Sequence, residues 1–202
     1  NGLRCVAAYL IESGRWQENE IQLRTISSTY TLKRVGNEYE ADMGVPSLKP
    51  EEIPFIPERP MERVIDHPFN VDGREIRISL CATGNPHCSV FVNELDDAMI
   101  TTLGPRLEND PAFPNRTNVE FIKVLNEKEL RVAFWERGVG VSYASGTGSC
   151  GATVAAILNG KTERRVTVYS KAGKLGVEWP ENGRLKLTSK AAIVAEGRYH
   201  ES

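Results

Sequence analysis

"TGSCGATVAAILNG", residues 147–160, aligns without a gap on "NGLRCVAAYLIESG", residues 1–14. Gly2 meets Gly148, Val6 meets Ala152, Leu10 meets Ala156, Ile11 meets Ile157 and Gly14 meets Gly160. Each stretch opens glycine-rich, stays apolar for about three turns and ends on a glycine suited to a helix C-cap. Apolar residues all round predict two buried helices rather than surface ones. The segments C-terminal to the two helices match as well. After Gly14 come "EIQLRT", "TYTLKRV" and "EYEADMG"; after Gly160 come "RVTVYS", "KLGVEW" and "RLKLTSK". These segments alternate apolar and polar residues, with turns at Gly36-Asn37 and Asn182-Gly183. The expectation is an α+β fold of two pseudo-symmetric units, each an antiparallel, barrel-like sheet around a central buried helix.

Between the copies lies "PSLKPEEIPFIPERP", 46–60, which holds five of the eleven prolines. Proline breaks ladders and helices, so this stretch is read as a crossing between units. The N-terminal unit is then 1–45 and the C-terminal unit 61–190. A last strand, "AAIVAEGRY", has no counterpart in the first copy, so 191–202 is expected to complete the N-terminal unit. In the second unit "REIRISLCATG" runs into "GNPH", and "NVEFIKV" and "ELRVAFWE" form a hairpin around "LNEK".

The 202 residues, 40% of them hydrophobic, are enough for one large core or two small ones. A net charge of −2 without a basic run argues against a nucleic-acid partner. No stretch approaches the ~18 apolar residues of a membrane span, and no signal-peptide pattern is present. Cys5, Cys81, Cys88 and Cys150 form no CxxC pair and the three histidines do not cluster near them, so no metal site is expected. Reduced cysteines fit a cytoplasmic protein. Asn1 begins directly inside a helical pattern, so further chain is expected upstream.

Four short stretches carry chemistry. "ASGTGSC", Ala144 to Cys150, places glycines before a helix, where free N–H groups and the helix dipole receive a carboxylate or phosphate. It is no phosphate loop of the Walker type, and alone it reads first as a capped buried helix. Asn1-Gly2 opens the other helix in the same way, so two helix N-termini are expected to serve one ligand. "GNPH", Gly84 to His87, ends a strand: Asn85 offers a donor and an acceptor, and His87 can shuttle a proton. Asn118 of "TNVEF" and Glu136-Arg137 of "WERGVG" fall at the same end of the hairpin. Arginine suits a carboxylate and glutamate an ammonium, so the set points to a zwitterionic ligand.

In this order and at these spacings, "GNPH", "FPNRTNVEF", "ERGVG" and "GTGSCGATVAA" resemble diaminopimelate epimerases over most of the chain. The resemblance implies the two-unit fold read above. It also implies a cofactor-free inversion at the α-carbon of LL-diaminopimelate to the meso form, in lysine and cell-wall precursor synthesis. One cysteine would remove the α-proton and a second would deliver one from the opposite face. A thiol at a helix N-terminus suits that task, because the dipole favours the thiolate. Asn85, Asn118 and Arg137 would hold the distal end of the substrate. Glu136 would meet the α-ammonium and, with His87, assist the acid–base pair. The N–H groups at Gly146-Thr147 and Asn1-Gly2 would hold the α-carboxylate. No cofactor is implied, and a homodimer is.

Two departures stand out. The second catalytic cysteine falls on Ser145, and the first is expected two residues before Asn1. A hydroxyl is far less acidic than a thiol with its reference pKa of about 8.5. Cys150 is more than a turn from Ser145, so it is read as a buried structural cysteine. Three readings of Ser145 stay open: an engineered cysteine-to-serine change, a natural variant working through Ser145 or on another amino acid, and a ligand-binding relative without catalysis.

Overall fold

A computed structural model describes residues 2–26, 29–195 and 197. The chain divides into two units, Asn1–Asp42 with Thr188–Ser202, and Met43–Leu187.

The first unit holds helix α1 (Gly2–Glu12) and the strands β1 (Glu20–Arg24), β2 (Thr29–Val35) and β3 (Glu38–Gly44), the last running across the boundary. The strands form an antiparallel meander, Leu32 opposite both Ile21 and Ala41. Gly36 closes the β2–β3 turn at φ 62°, a backbone setting that glycine adopts without steric cost. Leu32, Tyr39 and Ala41 are buried, and the Tyr39 hydroxyl donates to Glu12 Oε1 at 3.2 Å. The first helix departs from the sequence reading. Only Arg4, Ala7 and Ala8 of α1 are buried, while Val6 is 45% exposed. Part of its apolar circumference is thus exposed among the described residues.

The second unit is built around α3 (Gly146–Leu158), in which every residue from Gly148 to Ala156 is buried. Its strands are β4 (His67–Val71), β5 (Arg74–Ala82), β6 (Pro86–Phe91), β7 (Asn118–Asn126), β8 (Glu129–Glu136), β9 (Gly140–Ser142), β10 (Arg165–Ser170), β11 (Gly173–Glu178) and β12 (Leu185–Ser189). They lie in the order β12-β11-β10-β8-β7-β6-β5-β4, with β9 on the side of β8. The sheet is mixed rather than wholly antiparallel: β6 runs parallel to β7, and β8 parallel to β10. Parallel neighbours need a crossover, and α2 (Asp97–Glu108) supplies it between β6 and β7. Helix α2 is absent from the sequence reading. Asp96 caps it, accepting from the Ala98 and Met99 N–H groups at 3.1 and 3.2 Å.

Two apolar clusters share this sheet. One joins α3 to Phe134, Val166, Val168 and Leu185; the other joins α2 to Ile78, Leu80, Val90 and Phe121. Residues Asn118 to Ile122 of β7 are therefore buried on both faces. The proline-rich stretch 46–60 is packed rather than extended. Pro50–Glu52 make one 3-10 turn, Ser47 bridges Ala82, and Ile53 and Phe55 enter the α2 cluster. No strand forms among the described residues of 191–199, where 191–195 and 197 carry no regular structure and Glu196, Arg198 and Tyr199 lie outside the description.

Candidate functional site

Ser145 is the N-cap of α3. Its backbone is extended, at φ −137° and ψ 121°, and its Oγ accepts from the Gly148 N–H at 3.1 Å. It is 8% exposed. The Ser149 and Thr153 hydroxyls donate to the carbonyls four residues back, at 2.6 and 2.9 Å, which lets polar side chains sit in a buried helix. With Gly148 engaged, Gly146 and Thr147 are the first-turn N–H groups that no helix carbonyl reaches. A β-carbon on Gly148 would stand 2.9 Å from both Phe134 and Ser145 Oγ, so glycine is required for this cap to close.

The "GNPH" turn joins β5 to β6. Gly84 takes φ 85°, and the Thr83 N–H donates to the Asn85 carbonyl at 3.1 Å. Asn85 Oδ1 lies 2.9 Å from His87 Nε2, and Asn85 Nδ2 donates to Thr147 Oγ1 at 3.4 Å. His87 is wholly buried, its ring against Gly151 of α3, where a β-carbon would sit 2.9 Å from His87 Cβ. Its Nδ1 is 2.6 Å from Oε1 of Glu120, itself 1% exposed and approached by the Ser89 hydroxyl at 3.4 Å. Burial pushes the Glu120 carboxyl up, and the His87 ring opposes this only in part.

Asn118 and Arg137 meet at the far end of the hairpin, as the register requires, with Val119 opposite Trp135. The Asn118 amide is engaged at both ends: Nδ2 donates to the Pro86 carbonyl at 2.8 Å, and Oδ1 accepts from the Arg137 N–H at 3.0 Å. Arg137 Nη1 donates to the Asn115 carbonyl at 2.9 Å. Glu136 ends β8 half-buried.

A cavity of about 430 Å³ opens beside Asn85 and Arg137, and Glu136, Ser145, Gly146 and Thr147 are not among the residues that line it. Asn85 and Arg137 line it, with Gly84, Pro86, Asn115, Ser47 and Glu52. His87 and Asn118 lie behind that wall and hold it. Gly2 opens α1 in the other unit, and Asn1 lies outside the described residues. Cys150 is fully buried in α3, and its thiol is pushed up to about 12 by burial, as suits a structural cysteine.

Sequence reasoning missed two buried carboxylates. Glu120 sits in the middle of an apolar strand. Glu108, at the end of α2, accepts from Trp135 Nε1 at 2.7 Å, the Gly138 N–H at 2.8 Å and Arg116 Nη1 at 3.2 Å. It thereby ties α2 to the loop that carries Glu136 and Arg137. Glu120 stands between Val119 and Phe121, a weak sequence sign of a buried partner, whereas Glu108, followed by Asn109 and Asp110, carries no such sign.

The model of the family "Diaminopimelate epimerase" matches residues 79–194. The chain is 44% identical to a diaminopimelate epimerase of Pelotomaculum thermopropionicum, over 98% of this chain and 72% of that protein. It is 41% identical to one of Geobacillus kaustophilus, over 99% and 71%. Among solved structures, a hydroxyproline epimerase from Agrobacterium vitis superposes with a TM-score of 0.64 at 17% identity, covering 94% of this chain and 62% of that one. A probable proline racemase from Agrobacterium radiobacter gives 0.63 at 17% identity, over 95% and 66%. At that identity the structures speak for the fold alone, an α+β architecture shared with epimerases. The sequence relatives speak for more: the chain belongs to the diaminopimelate epimerase family.

Proposed function

We propose that the protein inverts the α-carbon of LL-diaminopimelate to the meso form by two-base proton transfer, without a cofactor. The observation that carries this reading is the joint of Asn118 with Pro86 and Arg137. One amide bonds the backbone on either side and fixes two cavity-lining groups, Asn85 and Arg137, on one scaffold. Arg137, with Asn85, binds the distal carboxylate and amine, and Asn118 serves that binding by setting the distance between them. Glu136 meets the α-ammonium. The N–H groups of Gly146 and Thr147 receive the α-carboxylate at the positive end of α3. Neutralising that carboxylate lowers the cost of the carbanion next to it. Asn1 and Gly2 are assigned to substrate binding by the internal repeat and the family resemblance, the cytoplasmic location by cysteine usage, and the homodimer by the resemblance alone.

Ser145 stands where the proton is exchanged on one face. Its hydroxyl accepts from Gly148, which supports an oxyanion but supplies no base. Proton transfer through Ser145 is therefore slow. The test is incubation with LL-diaminopimelate in deuterated water. Deuterium at Cα together with meso product is expected. Tight binding with neither would replace this reading by a ligand-binding relative, which Ser145 itself favours as the second reading. Inversion of proline or hydroxyproline instead would move the protein to another substrate. Ser145→Cys is expected to raise kcat by about 100-fold or more, the low end of what a positioned general base supplies.

A further inference from the structure

We propose that Glu120 is a positioning residue that sets, through His87, which end of the Asn85 amide faces the cavity. The inference rests on the site described above, but its first test needs no substrate. Glu120, His87, Asn85 and Thr147 form one hydrogen-bonded chain, with spacings of 2.6, 2.9 and 3.4 Å. Its first two members are buried, so water does not satisfy them in place of each other.

Proton counting fixes the consequences. Asn85 turns its oxygen to His87, so Nε2 must carry a proton and donate it. The other proton of the pair lies between Nδ1 and Glu120 Oε1. Whether it sits on nitrogen or oxygen, the pair is neutral overall, Nε2–H is kept, and Asn85, which lines the cavity, turns its NH2 to Thr147. Removing one proton leaves Glu120 ionised beside an imidazole protonated only on Nδ1. Nε2 then becomes an acceptor, and the Asn85 amide must turn over to donate to it. The cavity would lose a donor and gain a carbonyl oxygen, the wrong group for a substrate carboxylate.

The surroundings favour the protonated pair. From β5 the pair meets Cys81, from β6 Cys88 and the Ser89 hydroxyl, and from α3 Gly151, with Cys150 beyond it near Cys81. Burial pushes all three thiols up, so they stay neutral. Glu136, at the end of β8, is a like charge to Glu120 and opposes a net negative pair, as does the low polarity of the site. Asp110, beyond α2, acts in the same sense on Cys88.

The experiment is ¹⁵N NMR of the histidine rings in the free, full-length protein, which has only three histidines. His87→Gln assigns the signal. Nε2 of His87 is expected to be protonated at pH 7. As the Glu120 carboxyl, held up by burial, ionises on raising the pH, the Nε2 signal and the Asn85 side-chain amide signals are expected to move together. An unprotonated Nε2 at pH 7, or Asn85 signals that ignore the transition, overturns the proposal. In Glu120→Gln the His87 Nε2 and Asn85 side-chain amide signals are expected to shift together. At pH 8 that variant should show KM for LL-diaminopimelate raised about 10-fold, the loss of one hydrogen bond to a charged group, with kcat changed far less. A fall in kcat alone would assign Glu120 to the chemistry and overturn the positioning role. If Glu120→Gln fails to fold, the NMR titration of the unsubstituted protein still decides. A protein that passes the titration but exchanges no deuterium would refute the epimerase reading and leave this one standing.

Discussion

The two glycine-led helices carry nearly the same apolar pattern and meet different fates. In α3 nine consecutive residues, Gly148 to Ala156, are buried, and the sheet and Phe134 close over them. In α1 only three are buried, and Val6 and Tyr9 are 45% and 39% exposed. An apolar circumference thus permits burial but does not produce it. Packing against neighbouring elements decides: α3 meets six strands of its unit. The same contrast explains the site. Burial on every side lets α3 press Gly151 against His87 and lets Ser145 cap the helix from within the core. Among the described residues of its own unit, α1 buries Arg4, Ala7 and Ala8.

The sharpest way to break the comparison is to remove the lid of α3. Phe134 is 2% exposed and stands against Gly148. Phe134→Ala is expected to cost about 3–5 kcal/mol, because the cavity left between sheet and helix cannot collapse. Val6→Ala on the open side of α1 is expected to stay within about 0.5 kcal/mol. Urea melts of both variants measure the difference. Similar losses would mean that α1 is buried as deeply in solution as α3.

The cysteines give a second contrast. Cys5 on α1 is exposed, whereas Cys81, Cys88 and Cys150 are buried. A thiolate is the reactive form, so in the native protein a maleimide is expected to modify one cysteine of the four. The other three should react only on unfolding, as intact mass will record. Burial also fixes the sign of a pH effect. The Cys150 thiol is raised from an ordinary 9.0 to about 12 in the folded state. A raised value means that its contribution is complete below pH 9 and is lost as the pH climbs toward 12. The buried Cys81 and Cys88 shift in the same direction. Stability measured by urea should therefore fall steadily as the pH rises from about 9 toward 12, and a flat profile would contradict the burial of these thiols.

Much of the fold was legible because its signals are local. The period-two alternation and the turns at Gly36 and Gly183 marked the strands of both copies, and the 1–14/147–160 match marked their helices. Helix α2 escaped because Gly104 and Pro105 look like a stop. Pro105 falls inside the helix, and Gly104 is required, since a β-carbon there would meet Trp135 at 2.6 Å. The helical spacing of Ile100, Leu103 and Leu107 was nevertheless present. The parallel pairing of β6 with β7 escaped with it, because a crossover cannot be seen when its helix is missed. At the site, the hairpin register was enough to bring Asn118 to Arg137, and the turn was enough to place Asn85. Glu120 was not legible. A carboxylate inside "NVEFIKV" looks like the polar half of an alternating strand until the sheet is covered on both faces. What decides its partner is β6, adjacent in space but distant in sequence.

The smallest expected effects are also the most specific, because they have opposite signs at aligned positions. Gly148 and Gly2 occupy the same place in the two copies. A β-carbon on Gly148 would lie 2.9 Å from the Phe134 ring and from Ser145 Oγ, and neither can retreat without giving up burial or the cap. Gly148→Ala is expected to cost about 1–3 kcal/mol. Around Gly2 nothing lies within 4 Å of the same carbon. There Ala restricts the unfolded chain and meets no resistance in the folded one, a gain of roughly 0.4–1 kcal/mol. At this chain length 1 kcal/mol moves Tm by about 2–4 °C, so Gly148→Ala should lower it by several degrees and Gly2→Ala should raise it slightly. Two losses would mean that α1 meets the same close packing at its N-terminus as α3. Two gains would mean that Phe134 yields, and that the tight cap at Ser145 is not what holds the start of α3.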